Sequence, residues 1–514
     1  MIVADQSETI AFLTRPETFG VENVRRIDTH ISCVFLAGPK AYKLKRAVIF
    51  PYLDFSTPER RRKFCLAEVE INRRTAPQIY ERVAAITRER AGLALDGNGE
   101  AIDYLVVMNR FDEAGLFDRL SEAGALSDDM MAALADEIAR FHDSAERRAD
   151  FGGFAAMVEI VAGNGESLAR HAGRVFDAAA IGDLISRSQA AAAKNGALLD
   201  GRKRNGFVRR CHGDIHLRNI CLYEGRPLLF DAIEFSDPLA CIDVLYDLAF
   251  LLMDLEHRGL RRLGNVVFNR YVARTGDGAA QLPGLAALPL FLSCRAAVRA
   301  HVGADIALAQ SSEAATKRLL AESRRYFELA VRLIDPPPPC LIAIGGLSGT
   351  GKSTLARALA AGIGPAPGAL VLRSDTIRKR LWGAEEFARL PEGAYSENMT
   401  KRVYGAILAE AEAALKAGHA VIADAVHARP GERVALEALA AKLSVRFTGF
   451  WLEAPQPALE RRIGERVRDA SDATVEVLRR QAELTFGEIA WRRIDASGGP
   501  EATLAAVEDA VHAA

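Results

Sequence analysis

The sequence has few cysteines for its length, and none is placed for a metal site or a disulfide framework. The 514 residues include 7 cysteines, at Cys33, Cys65, Cys211, Cys221, Cys241, Cys294 and Cys340. They form no CxxC pair and no cluster with histidine at the spacing of a zinc site. The odd number and wide scatter argue against a disulfide-stapled extracellular domain and are typical of reduced thiols in the cytoplasm.

The sequence also lacks an excess of positive or negative charge. The chain has 66 Lys and Arg against 67 Asp and Glu, which gives a net charge of −1. Runs of like charge are too short to act as a nucleic-acid arm or a membrane patch. The charge balance therefore gives no support to a nucleic-acid partner.

The first residues and the apolar runs lead us to expect neither a leader sequence nor a membrane-spanning helix. Residues 1–13 carry Asp5 and Glu8 and show no basic segment followed by an apolar one. The longest apolar run, 244–255, contains two aspartates and is shorter than the roughly 18 residues of a spanning helix. We therefore expect a cytoplasmic protein with no membrane partner, and the sequence leaves its oligomeric state open.

The length exceeds what one hydrophobic core supports, and a proline run marks a boundary. The segment Asp335-Pro336-Pro337-Pro338-Pro339 cannot be a helix or a central strand, because proline lacks an N–H and fixes φ. It is typical of a short, stiff spacer. We predict a first domain at 1–334, a linker at 335–339 and a second domain at 340–514.

The apolar patterns differ on the two sides of this linker. Before it, 27–32, 33–37, 41–45 and 104–109 are predicted strands, and 58–76 is a predicted helix. Ser127 is a predicted N-cap for a helix that runs to about residue 148, and helices dominate from Phe151 onward, apart from 206–235. This order predicts an α+β domain with a small sheet and a helix-rich part. After the linker, strands alternate with helices, as in an α/β domain with a parallel sheet.

The segment 211–219 and the strand after it hold residues suited to phosphoryl transfer. The first reads Cys211-His212-Gly213-Asp214-Ile215-His216-Leu217-Arg218-Asn219, and the second ends in Phe230-Asp231. Phosphoryl transfer needs a carboxylate that orients and deprotonates the acceptor hydroxyl, and it needs oxygen ligands for magnesium. Asp214 fits the first role, and Asn219 and Asp231 fit the second.

This pattern resembles the catalytic loop and metal-binding strand of the aminoglycoside phosphotransferase and choline kinase family, which is distantly similar to protein kinases. The resemblance covers most of 20–330 and implies a bilobal protein-kinase-like fold. It implies Asp214 as the catalytic base and Asn219 and Asp231 as magnesium ligands. It also implies that Lys43 holds the ATP phosphates and that Glu68 is its ion-pair partner.

Three further positions follow from the same resemblance. Met108 matches the hinge that meets adenine, and Asp243 and Asp247 match the acidic residues that brace the catalytic loop. The chain departs from the family between its first two strands, where residues 29–32 replace a glycine-rich G-x-G-x-x-G loop. Two alternatives stay open: Lys45 competes with Lys43 for the phosphate role, and Glu68 could be a solvated helical residue.

A second nucleotide motif follows the linker. The apolar strand 341–344 leads into Gly345-Gly346-Leu347-Ser348-Gly349-Thr350-Gly351-Lys352-Ser353-Thr354 and then into a helical segment. This is the strand, loop and helix context that the P-loop motif G-x-x-x-x-G-K-[ST] requires. Glycines let backbone N–H groups surround phosphates, and the helix N-terminus adds partial positive charge. The nucleotide-binding residues expected here are Gly346, Ser348, Gly349, Thr350, Gly351, Lys352, Ser353 and Thr354, with Ser353 also a magnesium ligand.

The rest of the second domain resembles the P-loop kinases that include gluconate kinase, polynucleotide kinase, chloramphenicol phosphotransferase and zeta toxin. The resemblance covers about 340–490. It implies Asp375 as the base for the acceptor hydroxyl, Arg378 as a substrate anchor, Asp424 as a metal-binding acid, and Arg462 or Arg466 as a mobile arginine at ATP. Asp375 could instead cap the following helix, and the arginines could form a solvated helix face.

These observations predict an ATP- and magnesium-dependent phosphotransferase that acts on a hydroxyl group of a small molecule. Two other functions remain open. The first domain could be a ligand-sensing pseudokinase coupled to a P-loop switch, which the missing glycine-rich loop favours. The second domain could act on nucleic-acid ends, for which the only support is the resemblance.

Overall fold

The chain forms two compact units. The computed structural model describes residues 3–50, 53–310, 312–465, 470–484 and 486–512. Residues 1–157 and 199–254 form the first unit, and residues 158–198 and 255–514 form the second. The prolines at 336–338 are exposed and lie outside regular structure. The segments on both sides of them belong to the second unit, so the domain boundaries at 334 and 340 stay a prediction.

Helices and strands carry numbers in chain order. The helices before the proline run are α1 Ser7–Thr14, α2 Pro58–Asn72, α3 Phe117–Glu122, α4 Asp128–Ser144, α5 Gly153–Ala169, α6 Ala178–Lys194, α7 Gly196–Arg204, α8 Asp237–Ala240, α9 Val244–His257, α10 Arg261–Arg274, α11 Leu288–Leu308 and α12 Glu313–Leu333. Those after it are α13 Lys352–Ala360, α14 Ser374–Trp382, α15 Glu397–Lys416, α16 Pro430–Leu443, α17 Gln456–Gly464, α18 Val475–Ala482 and α19 Pro500–His512.

The first unit contains a six-stranded antiparallel sheet with the order β1-β2-β3-β8-β6-β7. Its strands are β1 Val24–Asp28, β2 Ser32–Ala37, β3 Lys40–Lys45, β6 Tyr80–Glu89, β7 Gly92–Leu95 and β8 Glu100–Asn109. Phe35, Leu44, Ile86 and Leu105 are fully buried in one apolar cluster. Because strand side chains alternate between faces, Lys43 and Lys45 lie on the face opposite Leu44.

Helix α2 packs on the sheet and supplies a polar residue to its buried face. Thr57 is the N-cap and accepts from the Arg60 amide, and Pro58 occupies the first turn. Cys65 and Val69 join the cluster that contains Tyr80 and Val106. Glu68 lies on the same buried stripe and is 0% exposed. The helix therefore carries Glu68 into the interior beside β3.

Short antiparallel pairs surround the predicted catalytic loop. They are β4 Ile49–Phe50 with β5 Leu53–Asp54, β9 Val208–Arg210 with β12 Cys241–Asp243, and β10 Ile220–Tyr223 with β11 Arg226–Leu229. Residues 211–219 run from β9 to β10 and end in the 3-10 turn Leu217–Asn219. Phe230 and then Asp231 follow β11, and Ile220 pairs with Leu229, so β10 and β11 bring both motif segments to one end of this hairpin.

The second unit contains the most apolar helical segment. Among the described residues, Gly278–Leu308 alone is long and apolar enough to cross a membrane by length and composition. Of its most apolar window, 78% is buried inside the protein. A core helix has the same length and composition, so we interpret α11 as a core helix that packs against α12.

The second unit also contains a five-stranded parallel sheet with the order β14-β15-β13-β16-β17. Its strands are β13 Cys340–Gly346, β14 Leu370–Arg373, β15 Val421–Asp424, β16 Arg446–Glu453 and β17 Arg492–Asp495. The central strand β13 is buried along its whole length, as parallel strands covered on both faces are. Its carboxyl end runs into the glycine-rich segment and α13.

The sequence patterns missed or misplaced several elements. Strands β6 and β7 were not predicted, and the predicted strand 27–32 contains the turn between β1 and β2. The predicted helix 58–76 ends at Asn72, and the Ser127-capped helix ends at Ser144. Strand β14 ends at Arg373, and Asp375 lies in the first turn of α14 rather than at a strand end.

Candidate functional site

The first candidate site is centred on Asp214. Asn219 Nδ2 donates to Asp214 Oδ2 at 2.9 Å and to the Asp214 carbonyl at 3.0 Å. His216 Nε2 lies 3.4 Å from the same carboxylate oxygen. The predicted base and one predicted metal ligand are therefore in direct contact within one loop.

Asp247 holds the loop that carries Asp214. Its carboxylate accepts from the backbone amides of His212, at 3.0 Å, and Gly213, at 2.9 Å. It also lies 3.1 Å from His142 Nε2, and all these groups are buried. Gly213 has φ +87°, and a Cβ there would meet Ile233 Cδ1 at 2.9 Å. Both the conformation and the space therefore require glycine.

A second aspartate, Asp254, fixes the far end of the loop. Its Oδ2 accepts from the Leu217 amide at 3.0 Å. Asp243, the other acid that the resemblance implied as a brace of the loop, accepts from Arg202 Nε at 2.7 Å and from the Leu245 amide at 2.9 Å. These bonds hold the start of α9.

Within the described ranges, His142, Cys211 and Asp247 are the only group of three or more His, Cys, Asp or Glu side chains whose ligand atoms all lie within 4.8 Å of one another. Their atoms already have partners in the protein: Asp247 accepts two backbone amides, and Cys211 Sγ donates to the Ile242 carbonyl at 3.4 Å. Burial raises the pKa of the Cys211 thiol well above its usual value. We therefore assign this group to the stability of the loop.

Replacing Asp247 with alanine should destabilise the first unit without touching substrate. It leaves two buried amides without an acceptor, and loss of charge-assisted bonds of this kind costs about 2–4 kcal/mol in free energy of unfolding. Urea denaturation followed by circular dichroism measures the effect, with exposed Glu159→Ala on α5 as the control. An unchanged midpoint for the Asp247 variant would contradict this role.

Lys43 joins the second half of this site. Its Nζ donates to Glu68 Oε1 at 2.8 Å and to Asp231 Oδ1 at 2.5 Å. Burial alone would lower the pKa of Lys43, but the charges of Asp231 and Glu68 raise it well above its usual value. Sequence positions 43, 68 and 231 therefore meet at one point, and Glu68 is not a solvated residue.

Lys45 is also drawn into this cluster. Its Nζ donates to Glu68 Oε2 at 2.5 Å, and it forms an ion pair with Glu234. The Lys45 side chain is 1% exposed. Burial would raise the pKa of Glu68, but the ammonium groups of Lys43 and Lys45 lower it to about 2. Glu68 is thus ionised at neutral pH, and it holds both lysines.

Asp231 is held in an unusual backbone conformation. Its φ is +63°, in the left-handed region, which an aspartate tolerates better than most residues. Its amide donates to the Tyr80 hydroxyl at 3.1 Å, and the next amide, of Ala232, donates to Asn72 Oδ1 at 2.8 Å. The Asp231 side chain is 44% exposed, which leaves room for a cation beside it.

Two predicted features of the first site remain: Met108, expected at the adenine hinge, and the turn before β2, where a glycine-rich loop is missing. Met108 lies within β8, where it pairs with Ala41 and with Tyr80, the residue that contacts the Asp231 amide. The turn between β1 and β2 is tight: the Thr29 amide donates to the Ser32 carbonyl at 2.8 Å, and the Ser32 amide to Thr29 Oγ1 at 2.9 Å.

The second candidate site is the glycine-rich loop between β13 and α13. Gly346, Gly349 and Gly351 have φ values of +134°, +88° and +91°, which favour glycine. A Cβ would meet the Leu452 carbonyl at 2.5 Å from Gly346 and the Leu459 carbonyl at 2.9 Å from Gly349. The loop is therefore built with no side chains at these points, as a backbone cradle for phosphate requires.

The reactive side chains of the loop are engaged with the protein. Lys352 Nζ donates to the Leu347 carbonyl at 2.9 Å, and Thr350 Oγ1 donates to the same carbonyl at 2.8 Å. Ser353 Oγ donates to Asp424 Oδ2 at 2.5 Å. Ser353 and Thr354 lie in the first turn of α13, so the pair of oxygens at 353 and 424 forms a candidate magnesium site.

Asp375 lies beside this pair. Arg373 is the register partner of Asp424 on the neighbouring strand. Its guanidinium lies 3.8 Å from Asp424 Oδ2 and 3.7 Å from Asp375 Oδ2. Arg378 is 8% exposed, and it donates to the Ala394 carbonyl at 2.8 Å. Asp375 is thus near the phosphate loop, while Arg378 is tied to the protein.

The two arginines predicted at ATP have separate outcomes. Arg462 donates to the carbonyls of Ala496, at 2.8 Å, and Gly498, at 2.7 Å. These bonds tie α17 to the segment after β17, and a role at ATP would require Arg462 to release them. Arg466 lies outside the described residues.

Several contacts could not be found from the sequence patterns. Gln481 Oε1 accepts from the amide of Ser348 in the phosphate loop at 3.0 Å. Asp472 accepts from Lys379 Nζ at 3.2 Å and from the Tyr395 hydroxyl at 2.7 Å. Glu234, which completes the lysine cluster, lies three residues after Asp231. None of these residues belongs to a motif whose spacing gives a signal.

Comparison with known families agrees with this division into two sites. Residues 55–284 match the phosphotransferase enzyme family, and residues 341–485 match an AAA domain family. With the antiparallel sheet of the first site and the parallel sheet of the second, these matches define the class: a kinase-like phosphotransferase region followed by a P-loop kinase region, and thus an ATP-dependent phosphotransferase.

Two relatives match nearly the whole chain. It is 32% identical over 488 residues to the uncharacterized protein Rv2004c of Mycobacterium tuberculosis, which covers 92% of each chain. The uncharacterized protein Mb2027c of Mycobacterium bovis has the same identity and coverage. The chain belongs to the family of these proteins.

Comparison with solved structures gives matches to part of the chain. A choline/ethanolamine kinase family protein from Mesorhizobium loti is 14% identical and covers 64% of this chain and 98% of its own, with a TM-score of 0.37. A gluconokinase from Sinorhizobium meliloti 1021 is 20% identical and covers 34% of this chain and 96% of its own, with a TM-score of 0.24.

Proposed function

We propose that the protein transfers the γ-phosphate of ATP to a hydroxyl group of a small molecule, and that each of its two sites binds ATP. The observation that carries the proposal is the position of Lys43 Nζ between Glu68 and Asp231, 2.8 and 2.5 Å away. A lysine held in this way can turn to a phosphate while Glu68 keeps it in place.

Each residue of the first site has a task in this proposal. Asp214 accepts the proton of the acceptor hydroxyl and orients its oxygen. Asn219 and Asp231 supply oxygen ligands of the kind that magnesium prefers, and a bound magnesium ion would offset charge on the transferring phosphate. Met108 lies on the strand that would meet the adenine. The bonds of Asp247 and Tyr80 hold these groups in position.

The second site has an equivalent set. The amides of 346–351 and the N-terminus of α13 would hold the phosphates. Lys352 would leave the Leu347 carbonyl for a phosphate oxygen, and Ser353 and Asp424 would bind magnesium. Asp375 would receive the proton of the acceptor, and Arg378 and Arg462 would contact substrate and ATP after releasing their present partners. Arg466 keeps the role that the resemblance implies.

Cytoplasmic location is part of the same proposal. All seven cysteines are free and buried, which fits a reducing compartment. Neither the net charge of −1 nor any contact described above favours a nucleic-acid acceptor.

A second candidate function rests on the turn between β1 and β2. Thr29 and Ser32 are joined by short-range hydrogen bonds in this turn, which stands where a flexible glycine-rich loop would close over the phosphates. In that alternative, the first region binds a ligand without turnover, and only the P-loop region acts on ATP.

Substitution of the two lysines separates their roles. Lys43→Met should lower ATP affinity at the first site by roughly 10-fold or more, since a charge-assisted phosphate contact is lost. Lys45→Met should instead lower the free energy of unfolding by about 3–5 kcal/mol, because Glu234 stays buried without its lysine partner and Glu68 keeps only Lys43. Calorimetric ATP titration and urea denaturation give the two readouts. A reversed pattern would assign the phosphate role to Lys45.

A further inference from the structure

Helix α10 lies in the sequence of the phosphotransferase region, but its contacts are with the P-loop region. It lies within the match to the phosphotransferase enzyme family, which ends at residue 284. In the structure it is part of the second unit, where its side chains contact the loop before β14 and the strand itself. This helix therefore links the sequence of the first region to the sheet of the P-loop region.

Two asparagines of α10 cover the edge of the parallel sheet. Strand β14 is one of the two edge strands of the sheet, and such strands present N–H and C=O groups that have no strand partner. The Val371 amide donates to Asn269 Oδ1 at 2.7 Å. Asn269 Nδ2 and Asn265 Nδ2 donate to the Ala369 carbonyl at 3.1 and 3.0 Å. The two carboxamides thus act in place of a neighbouring strand.

The surrounding contacts are closely fitted. Phe268 is 0% and Asn265 5% exposed. The Phe268 ring lies 4.9 Å from that of His419, whose Nε2 lies 2.9 Å from the Gly368 carbonyl. A Cβ at Gly368 would meet Asn265 Nδ2 at 2.9 Å. This close packing is typical of a permanent interior contact.

A third contact reaches the helix that begins at the phosphate loop. Arg261 Nε donates to the Ala361 carbonyl at 2.6 Å, and its terminal nitrogen donates to the Gly364 carbonyl at 2.7 Å. These carbonyls lie at and just after the carboxyl end of α13, where a cation is favourable. Arg270 also pairs with Glu386, beyond α14.

We propose that Asn269 is a positioning residue of the P-loop kinase site. It fixes β14, which leads through Arg373 into Asp375, next to Asp424 on the adjacent strand. This inference rests on the proposed role of Asp375 in phosphate transfer. In this arrangement the first kinase region supplies a structural part of the second site, and a P-loop region without α10 has an open sheet edge.

Hydrogen exchange of the full-length chain tests the structural half of the proposal. In Asn269→Ala, the peptide that covers Leu370–Arg373 should exchange at least about 10-fold faster, because the Val371 amide loses its acceptor. The central strand β13 should be unchanged. Ala273→Ser, at an exposed position on the same helix, should match the wild type. Unchanged exchange of β14 in Asn269→Ala would overturn the proposal.

Kinetics test the functional half. The measurement uses a chain that already carries Asp214→Asn, so that the first site does not contribute turnover. In this chain, Asn269→Ala should lower the kcat of magnesium-dependent ATP hydrolysis by the P-loop site roughly 10-fold, because a displaced β14 no longer orients the catalytic side chains. ATP affinity should stay within about 2-fold, since the phosphate loop lies on β13 and not on β14. Asn269→Asp keeps an acceptor for the Val371 amide but loses the donor to the Ala369 carbonyl, so it should recover only part of kcat.

The outcomes separate this inference from the proposed function. If Asn269→Ala speeds the exchange of β14 but leaves kcat unchanged, α10 only shields the sheet edge, and the positioning role of Asn269 is overturned. If Asp375→Asn leaves hydrolysis intact while Asn269→Ala lowers it, the assignment of Asp375 fails, and Asn269 then acts on the site through Arg373 and Asp424. A loss of ATP affinity equal to the loss of kcat would also overturn the proposal.

Discussion

Replacing Lys352 with alanine should remove ATP binding by the P-loop site and leave its fold intact. The lysine would contact the phosphates as a charged donor, and loss of a contact worth about 3 kcal/mol weakens affinity roughly 100-fold. In the structure its Nζ donates to the Leu347 carbonyl of the same loop at 2.9 Å, and we expect the fold to tolerate the loss of this contact. Calorimetry on the full-length chain should show the ATP stoichiometry halved.

A matched control makes this result specific. Lys401 is 69% exposed on α15, and Lys401→Ala should bind ATP as the wild type does. Circular dichroism and the midpoint of thermal unfolding should agree among the three proteins. Wild-type stoichiometry and affinity in Lys352→Ala would show that the loop does not bind the phosphates.

At the first site, Asp214→Asn and Asp231→Ala should differ in kind. Asparagine at 214 keeps a side chain of the same shape but removes the proton acceptor, and losses of a general base are about 10²–10⁴-fold in kcat. Alanine at 231 removes a proposed metal ligand and a partner of Lys43, so magnesium-dependent ATP binding itself should weaken. The first variant thus loses turnover with ATP bound, and the second loses the nucleotide.

Both variants are made with Lys352→Ala already present, so that the P-loop site supplies no signal. Turnover with an acceptor and calorimetric titration of ATP with magnesium are measured side by side. Glu159→Ala serves again as the surface control. If the Lys352→Ala chain shows neither phosphate transfer nor magnesium-dependent ATP binding at the first site, the pseudokinase alternative replaces the catalytic interpretation.

How far the sequence predicts this molecule depends on whether local chemistry or distant packing decides a position. The fold class of both regions is confirmed, because strand and helix patterns and the glycines of the P-loop are local signals. Strand β6 escaped prediction because its burial alternates irregularly and its pairing with β8 contains register shifts. Tertiary context, not propensity, makes it a strand.

In the candidate sites too, contacts between residues close in sequence could be predicted, and contacts between distant residues could not. Asp214 and Asn219 lie five residues apart in one loop, so their contact follows from spacing. The ion pair of Lys45 with Glu234 joins residues 189 apart in sequence, and no motif links them. The bond between Asn269 and Val371 spans 102 residues and crosses the proline run. Only the folded chain shows these pairs.

The most direct test of the proposed phosphotransferase activity is a phosphate-transfer assay on the purified full-length chain. Radiolabelled γ-phosphate of ATP is followed into a panel of hydroxylated small molecules, with wild type, Asp214→Asn, Lys352→Ala and the double variant in parallel. The wild type should label an acceptor, each single variant should lose the transfer that its altered site performs, and the double variant should label none. A wild-type chain that binds ATP and labels no acceptor, or a double variant that labels acceptors as the wild type does, would contradict the proposed activity.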